Sequence, residues 1–378
     1  MPTARWVVIT ASLVALLAAL VAPAAAQAPA AKTQWKMQSS WPAADFHQVN
    51  PKGLVEKIAE MTGGRLQIDL QAAGTVVQAF EVLDAVNRGL LDAGHSWPGF
   101  WTGKHPAATL FGSAPGGPYG MNAEDYLGWI YMGGGLELYN ELLQKELKMN
   151  VVVFPTFGET PEPQGWFRKA IKSPADLKGM KFRATGIAAE VFKEMGMAVV
   201  SIAPGEIVPA LERGVVEAAE FSDPSADMAI GLHQVRKFYH MPGIHQPTGI
   251  MEVQINKARW NALPADVKAI VKHAAMAEAL HYTLKMLDRN SQDLVTLVTK
   301  HGVTVVETPR EVFEEILKAW DRVAERKAKE NAFFGKVLES QKAWAQRVVP
   351  YRRCCHPPYE FAADYYWKGV NPYKILKP

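Results

Sequence analysis

Four polar side chains between positions 162 and 246 carry groups that could bind a small charged molecule: Glu162, Arg183, Glu220 and Gln246. Arg183 stands in KGMKFRATG, at the end of a predicted strand, and its planar guanidinium matches both oxygens of a carboxylate. The other three supply oxygen atoms, which suit a hard cation such as Ca²⁺ or Na⁺ rather than zinc. Each residue alone is typical of a protein surface. Together they fit a carboxylate that bridges Arg183 and a cation.

A second motif, GHSWP at positions 94–98, nearly matches the G-x-S-x-G elbow on which a serine hydrolase carries its nucleophile. Pro98 replaces the last glycine of that motif, and the following residues lack the apolar period of a helix. A periplasmic hydrolase that uses Ser96, or a histidine from the 233–245 cluster, is therefore an alternative interpretation. A protein that binds a macromolecular partner and no small acid is another.

The motifs for zinc and for dinucleotides are weak. His233, His240 and His245 lack the spacing of H-E-x-x-H and have no cysteine or acidic partner at a zinc-finger interval. The glycines of MGGGLEL follow no predicted strand and do not fit G-x-G-x-x-G. We therefore predict a protein with no catalytic residue and no organic cofactor.

The N-terminus has the pattern of a secretory signal: Arg5, an apolar run from Trp6 to about Val21, and then Ala24-Ala25-Ala26. We expect residues 1–26 to be removed on export, which in a bacterium places the mature chain in the periplasm. No later run approaches the ~18 apolar residues of a membrane span.

The composition is that of a globular protein, with 48% hydrophobic, 10% aromatic and 21% charged residues. Without the signal, 40 basic and 38 acidic residues leave a net charge of +2, so a nucleic-acid partner is not indicated. The two cysteines, Cys354 and Cys355, are adjacent, and adjacent residues do not easily close an ordinary disulfide. Two spectator thiols are the default interpretation, and a vicinal or intermolecular bridge is the alternative.

The elements that must position these residues occur twice. LDAVNRGLLDAGHSW (83–97) and VPALERGVVEAAEFS (208–222) each predict a helix that ends at Arg-Gly, followed by a short strand. An apolar run and a loop precede each copy, so a strand, loop, helix and strand recur about 125 residues apart. We predict an α/β fold of two similar lobes with largely parallel sheets, whose strand ends face a central cleft.

The order of elements suggests where the chain passes between lobes. We predict lobe I at residues 33–153 plus 247–305, lobe II at 154–246, and a C-terminal helical segment at 306–378. A polar helix from about Pro309 to Ala345 fits a solvated surface by default. The alternative is that it lies on both lobes or on a second subunit.

Around the candidate site residues, the sequence resembles a known family. GWFRKAIKSPADLKGMKFRATG (165–186) is similar to the signature of the extracytoplasmic solute-binding proteins of TRAP transporters, the DctP type. Further similar segments extend the resemblance over nearly the whole mature chain: SSWP, GGGLELYNELL, RGVVEAAEFSDPSADMAIGLHQVRKFYHMPGIHQPTG and VVPYR…PPYEFAADYYW. The branch it resembles includes the 2-oxo acid and lactate binders, also labelled the mannitol/chloroaromatic type.

The resemblance implies a role for each site residue. Arg183 falls on the arginine that clamps the substrate carboxylate, and Glu220 falls on the metal-binding acid. Phe221 falls where a tryptophan lends its carbonyl to the metal and its ring to the ligand. Glu162 replaces a glutamine, and Gln246 replaces a frequent metal-binding glutamate, so the number of carboxylates is kept.

The resemblance also implies a function. We expect a binding protein that closes two lobes around a 2-oxo or 2-hydroxy carboxylate with a Ca²⁺ or Na⁺ ion, and delivers the acid to membrane permease subunits. A homodimer through the C-terminal helices is a further expectation.

Overall fold

Strands and helices alternate along the chain in a computed structural model that describes residues 32–158, 161–371 and 373. The predicted signal at 1–26 lies outside the described residues. The described residues from Gln34 onward form one compact unit. The strands are β1 (Thr33–Ser39), β2 (Leu66–Gln71), β3 (Ala93–Ser96), β4 (Val151–Gly158), β5 (Gly165–Phe167), β6 (Lys181–Arg183), β7 (Ala198–Val200), β8 (Ala218–Ala219), β9 (Phe238–Met241), β10 (Ile250–Asn256) and β11 (Thr304–Glu307). The α-helices are α1 (Val49–Met61), α2 (Val82–Asn87), α3 (Ala123–Met132), α4 (Gly135–Glu141), α5 (Gly186–Glu194), α6 (Ile207–Glu212), α7 (Pro224–Ile230), α8 (Leu232–Val235), α9 (Lys257–Ala262), α10 (Ala265–Thr299), α11 (Arg310–Glu330), α12 (Ala332–Cys355) and α13 (Tyr359–Tyr366).

The strands form two sheets with the same internal arrangement. The first sheet has the order β2-β1-β3-β10-β4, and the second has the order β11-β9-β5-β8-β6-β7. In the first, β3 is parallel to β1 and antiparallel to β10. In the second, β8 is parallel to β6 and antiparallel to β5. Read from β7, the second sheet therefore repeats the first and adds β11 at its edge.

The repeated helix ends carry the predicted glycines. Gly89 after α2 and Gly214 after α6 have φ angles of 74° and 72°, in the left-handed region that a residue with a Cβ rarely adopts. The two helices therefore end at equivalent positions of the repeated unit, and each leads into a central strand of its own sheet. The duplicated unit predicted from the sequence is confirmed.

The chain passes between the sheets more than once. It leaves the first sheet after β4 and enters the second at β5, then leaves the second after β9 and returns to the middle of the first at β10. β4 lies wholly in the first sheet, and β11 joins the second sheet through parallel pairing with β9. The division at 33–153 plus 247–305, 154–246 and 306–378 stays a prediction.

Separate apolar clusters support the sheets. Trp35, Leu54 and Val271 belong to a cluster on the first sheet, and Trp166, Ile207 and Leu297 belong to one on the second. Val271 and Leu297 both lie on α10, so this 35-residue helix packs on both sheets. Burying a side chain of this size stabilises the fold by about 1.5–3 kcal/mol.

The C-terminal segment differs from the single helix predicted at about 309–345. Asn331 has extended backbone angles (φ −141°, ψ 111°) and separates α11 from α12, and its side chain accepts a hydrogen bond from the Phe334 N–H at 2.8 Å. One face of each helix is buried, with Ile316 on α11 and Val337 on α12 fully covered. The default interpretation of a solvated helix was therefore wrong.

The two C-terminal helices attach to different parts of the fold. On α11, Arg322 pairs with Glu194 of α5 at 2.9 Å. On α12, the Trp344 indole donates to the Asp125 carbonyl of α3 at 2.9 Å. Because α5 follows a strand of the second sheet and α3 packs against β4 of the first, the pair of helices bridges the two sheets.

The last helix, α13, buries none of its residues. Cys354 and Cys355, the last two residues of α12, are exposed and not bonded to each other. No helix among the described residues has the length and apolar character needed to cross a membrane.

Candidate ligand-binding cleft

Two neighbouring strand ends bring Arg183 and Glu220 together. Arg183 is the last residue of β6, and Glu220 directly follows β8, which runs parallel to it. Both side chains are buried, at 1% and 2% exposure. This is the edge at which an α/β sheet binds ligands.

Contacts from three directions hold the Arg183 guanidinium. Its Nε donates to the Ile202 carbonyl at 3.0 Å, and its Nη1 donates to the Glu220 carbonyl at 2.8 Å. Nη1 is also 3.2 Å from Glu220 Oε2, and Cζ lies 5.8 Å from the Phe221 ring centroid. Because the fork is already held in place, little side-chain entropy would be lost when it binds an anion.

Glu162 and Gln246 meet where the chain passes between the sheets. Gln246 Nε2 donates to Glu162 Oε1 at 2.6 Å, and the Glu162 N–H donates to the Gln246 carbonyl at 3.1 Å. The two crossing segments also touch at Gly243, where a Cβ would lie 2.2 Å from the Glu162 carbonyl oxygen. Glycine is thus required for this close approach. Glu162 and Gln246 each stand on a different crossover, so their pairing links the two connections.

His245 completes a three-residue group that could hold a cation. One ligand atom from each of Glu162, Glu220 and His245 lies within 4.8 Å of the others, and all three side chains are buried. His245 Nε2 is 3.2 Å from Glu162 Oε2. Burial lowers the pKa of His245 to about 3, so its ring is neutral and keeps a lone pair for a metal. Two carboxylates suit Ca²⁺ or Na⁺, and the donor set therefore fits a cation.

The sequence did not reveal His245 as part of the site. Its spacing from His233 and His240 argued against zinc, and those two histidines do lie elsewhere. The His233 ring contacts the His301 ring in a tilted arrangement with centroids 4.3 Å apart, and the His240 imidazole accepts from the Ile171 N–H at 2.9 Å. What places His245 is its neighbour Gln246, because both stand in the same crossover.

First-lobe aromatic residues form the opposite wall, and sequence reasoning missed them too. A cavity of about 20 Å³ is lined by Trp41, His47, Trp97, Phe100, Glu162, Arg183, Thr185, Phe221 and Gln246. Trp41 and Trp97 each stand in a Ser-Trp-Pro sequence at the carboxyl end of a strand, β1 and β3, which are adjacent and parallel. This repeated tripeptide is the signal that could have found them.

The Trp41 indole is held by a buried histidine. Trp41 Nε1 donates to His95 Nδ1 at 2.9 Å, so His95 carries its proton on Nε2, which lies 2.6 Å from Asn50 Oδ1. Burial, with a smaller contribution from His47, lowers the pKa of His95 to about 3 and keeps this ring neutral. The hydrogen bonds fix the orientation of the Trp41 wall.

The Trp97 indole packs against three glycines. A Cβ would lie 1.9 Å from its ring at Gly99, 2.6 Å at Gly186, and 2.7 Å at Gly112. Gly186 begins α5 and so belongs to the second sheet, whereas Gly99 and Gly112 follow β3. Trp97 therefore reaches across the cleft, and a side chain at Gly186 would block that approach.

The structure gives no support to a nucleophile at Ser96. Its side chain is fully buried, and its Oγ lies 2.7 Å from Ser40 Oγ. A hydrolase that uses a histidine from the 233–245 cluster would need that histidine beside a nucleophile. His240 instead accepts a hydrogen bond from a backbone amide.

The five residues predicted for the site do lie together. Glu162, Arg183, Phe221 and Gln246 line one cavity, and Glu220 pairs with Arg183 beside it. Their roles toward a substrate or a metal stay a prediction.

Comparison with known proteins identifies the class. The chain belongs to the bacterial extracellular solute-binding proteins of family 7, the DctP family, whose model matches residues 38–331. A relative from Nostoc, a monocarboxylate 2-oxoacid-binding periplasmic protein, is 33% identical over 88% of this chain and 90% of its own.

Solved structures of TRAP solute-binding proteins share the fold. One from Bordetella bronchiseptica, a mixed-occupancy dimer with calcium and picolinate in one site, is 28% identical with a TM-score of 0.82, over 89% of this chain and 97% of its own. One from Pseudoalteromonas atlantica with bound sodium and pyruvate is 28% identical with a TM-score of 0.80, over 90% of this chain and 100% of its own. The predicted family and two-lobed α/β fold are confirmed. These proteins are substrate-binding components of transporters and not enzymes, as the sequence predicted.

Proposed function

We propose that this chain is the periplasmic binding component of a TRAP transporter that captures a small 2-oxo or 2-hydroxy carboxylate together with a cation. The observation that carries the proposal is the buried Arg183 guanidinium, held at the strand ends and facing a cavity walled by the other lobe. Related proteins that are described with pyruvate or picolinate support the choice of a small acid.

In this proposal Arg183 binds the carboxylate, Phe221 packs against the ligand, and Glu162 accepts a hydrogen bond or contacts the ion. Glu220, the Phe221 carbonyl and Gln246 would hold Ca²⁺ or Na⁺, with Glu162 and His245 close enough to add ligands. The cation would neutralise the buried carboxylates and supply a second positive charge for the acid. Such an arrangement leaves no buried charge without a partner.

Lobe closure would deliver the binding energy. The cavity of about 20 Å³ has room for about one water molecule, so a ligand would enter only when the lobes open. The cleft then closes by a hinge motion at the crossovers between the sheets. We propose that the signal at 1–26 directs the chain to the periplasm, where the closed form delivers its acid to the permease subunits. A homodimer is also proposed, because the related Bordetella protein is described as a dimer.

Arg183→Ala tests this function. We expect it to abolish binding of pyruvate in the presence of Ca²⁺, a loss on the order of 3 kcal/mol or more, because the acid and the remaining carboxylates lose their counter-charge. Calorimetry and thermal shift with pyruvate, lactate and a sugar acid, each with and without Ca²⁺ or Na⁺, would measure it. A shift that needs both acid and metal supports the proposal.

The matched control is Arg168→Ala, which removes an exposed arginine that directly follows β5 of the same sheet. Arg183→Lys keeps a positive charge and separates loss of charge from loss of the bidentate fork. Unchanged affinity of Arg183→Ala for the acid would contradict the proposal that Arg183 binds its carboxylate.

A further inference from the structure

One hydrogen bond crosses the cleft next to the proposed site. His47 lies in a 3₁₀ turn at Phe46–Gln48, between β1 and α1 on the first lobe. Ser222 follows β8 on the second lobe. His47 Nε2 is 2.9 Å from Ser222 Oγ, and the two residues are 1% and 3% exposed. The contact therefore joins a turn that follows β1 of the first sheet to a segment that follows β8 of the second sheet.

The His47 ring is held in position from its own lobe. Asp45 Oδ1 caps the 3₁₀ turn by accepting the His47 backbone N–H at 3.0 Å, and it also lies 2.8 Å from Nδ1. Asp45 thus accepts a hydrogen bond from the ring's Nδ1–H, while Nε2 faces the Ser222 hydroxyl, which also donates to Asp223 Oδ2 at 3.3 Å. The Trp41 ring centroid lies 4.6 Å away on the same lobe.

The ring also meets the second lobe through an aromatic contact. His47 and Phe221 have centroids 5.5 Å apart at 87°, an edge-on arrangement. His47 therefore contacts both Phe221 and its neighbour Ser222, on the segment that follows Glu220. The connectivity of Asp45, His47 and Ser222 is that of a serine hydrolase triad, but here the histidine and the serine come from lobes that separate when the cleft opens.

We propose that His47 is a closure latch: Asp45 orients it, it bonds Ser222 when the lobes close, and it prolongs the lifetime of the closed, ligand-bound state. This inference rests on the proposed function, because a latch needs a cleft that closes on a ligand. His47 acts as a positioning residue, since it holds Phe221 and Trp41 on opposite sides of the cavity. Because the bond forms after encounter, its loss should raise the dissociation rate and leave the association rate nearly unchanged.

The test is a double-mutant cycle with His47→Phe and Ser222→Ala, measured by stopped-flow tryptophan fluorescence with pyruvate and Ca²⁺. Each single variant should dissociate about 3- to 10-fold faster, the effect of one net hydrogen bond. The double variant should dissociate no faster than the faster of the two single variants, because all three variants lose the same hydrogen bond. His47→Gln, whose amide can still reach Ser222, should recover part of the loss.

Ser225→Ala is the matched control. It removes a buried serine hydroxyl three positions further along, which has no hydrogen-bond partner among the described residues, and should dissociate at the wild-type rate. Additive effects in the cycle, or single variants with wild-type dissociation rates, would overturn the latch while leaving the proposed function intact. A wild-type protein that gives no response to pyruvate with Ca²⁺, although folded by circular dichroism, would overturn both.

Discussion

Glu162 and Gln246 stand where the family resemblance predicts a glutamine and a glutamate, in that order. The structure shows that they are partners in one hydrogen bond of 2.6 Å. Exchanging the two side chains between positions therefore keeps one amide, one carboxylate and the bond between them. Either substitution alone would have changed the local charge, whereas the exchange of both side chains preserves it.

The exchange predicts that the two positions are coupled. Glu162→Gln removes a buried carboxylate and should weaken Ca²⁺-dependent pyruvate binding at least tenfold, since the cation loses a charged ligand. Gln246→Glu places two carboxylates side by side and should lower the melting temperature without Ca²⁺. The double variant should return to within about threefold of wild-type affinity, because a single interaction is rebuilt with its ends reversed.

Calorimetry with pyruvate, with and without Ca²⁺, would measure this coupling. Glu212→Gln is the matched control, because it removes an exposed carboxylate from the second lobe. If the loss of binding free energy in the double variant equals the sum of the losses in the two single variants, the positions act independently.

At the residue scale, prediction from the sequence succeeded where a residue's position followed from an element. Arg183 and Glu220 were found because each ends or follows a strand, and parallel strand ends meet at one edge. His245 and the tryptophans were missed for physical reasons. A lone histidine in a loop has no spacing to reveal a partner 83 residues away, and an aromatic residue beside a strand is usually core.

At the element scale, Asn331 is the joint between the two helices that bridge the sheets. Its backbone is extended, its Oδ1 caps α12, and its Nδ2 lies 3.2 Å from His105 Nε2. Asn331→Ala should therefore destabilise the protein by about 1 kcal/mol, the usual cost of losing an N-cap. Urea unfolding would measure this loss.

Asn331→Asp is the comparison, because aspartate keeps the capping oxygen and loses only the amide nitrogen that faces His105. It should retain most of the stability if the cap matters most. Equal destabilisation by both variants would assign the effect to the His105 contact instead.

The sequence revealed most elements but not this joint. Apolar periodicity and Arg-Gly stops predicted the duplicated strand and helix units, and their glycines have the expected positive φ. The break at Asn331 was hidden because the residues on both sides have helical composition, and one asparagine lowers helix propensity only slightly. Sheet order also lay beyond local pattern, since β10 pairs with strands about 100 and about 160 residues before it.

At the scale of the whole molecule, buried ionisable groups give the fold opposite dependences on pH. Burial lowers the pKa of His95, His233 and His240 to between about 3 and about 4. Because their unfolded pKa is near 6.5, the stability they contribute is present above pH 6.5 and is lost as pH falls toward 3. Burial raises the pKa of Asp227 and Glu252 to about 7, which acts in the reverse direction.

Glu252 isolates the reverse effect because its surroundings are neutral. It lies on β10 in the middle of the first sheet, where Oε1 accepts from Gln254 at 2.7 Å, the Tyr139 hydroxyl at 2.9 Å and the Trp101 indole at 3.3 Å. These donors lower its pKa, but desolvation is larger and raises it from 4.5 to about 7. The folded protein therefore binds this proton more tightly than the unfolded chain does. The resulting stability is full below pH 4.5 and is lost as pH rises through about 7.

Glu252→Gln should remove that dependence, because glutamine has the shape of the protonated acid and does not ionise. The difference in unfolding free energy between variant and wild type should shift in favour of the variant by on the order of 3 kcal/mol between pH 4.5 and pH 8. Urea unfolding at several pH values measures it, and taking the difference cancels the histidines, which both proteins share. Glu212→Gln, which removes a carboxylate at an exposed position, is the matched control. A difference for Glu252→Gln that stays constant with pH would mean that the carboxyl has the same pKa in the folded protein as in the unfolded chain.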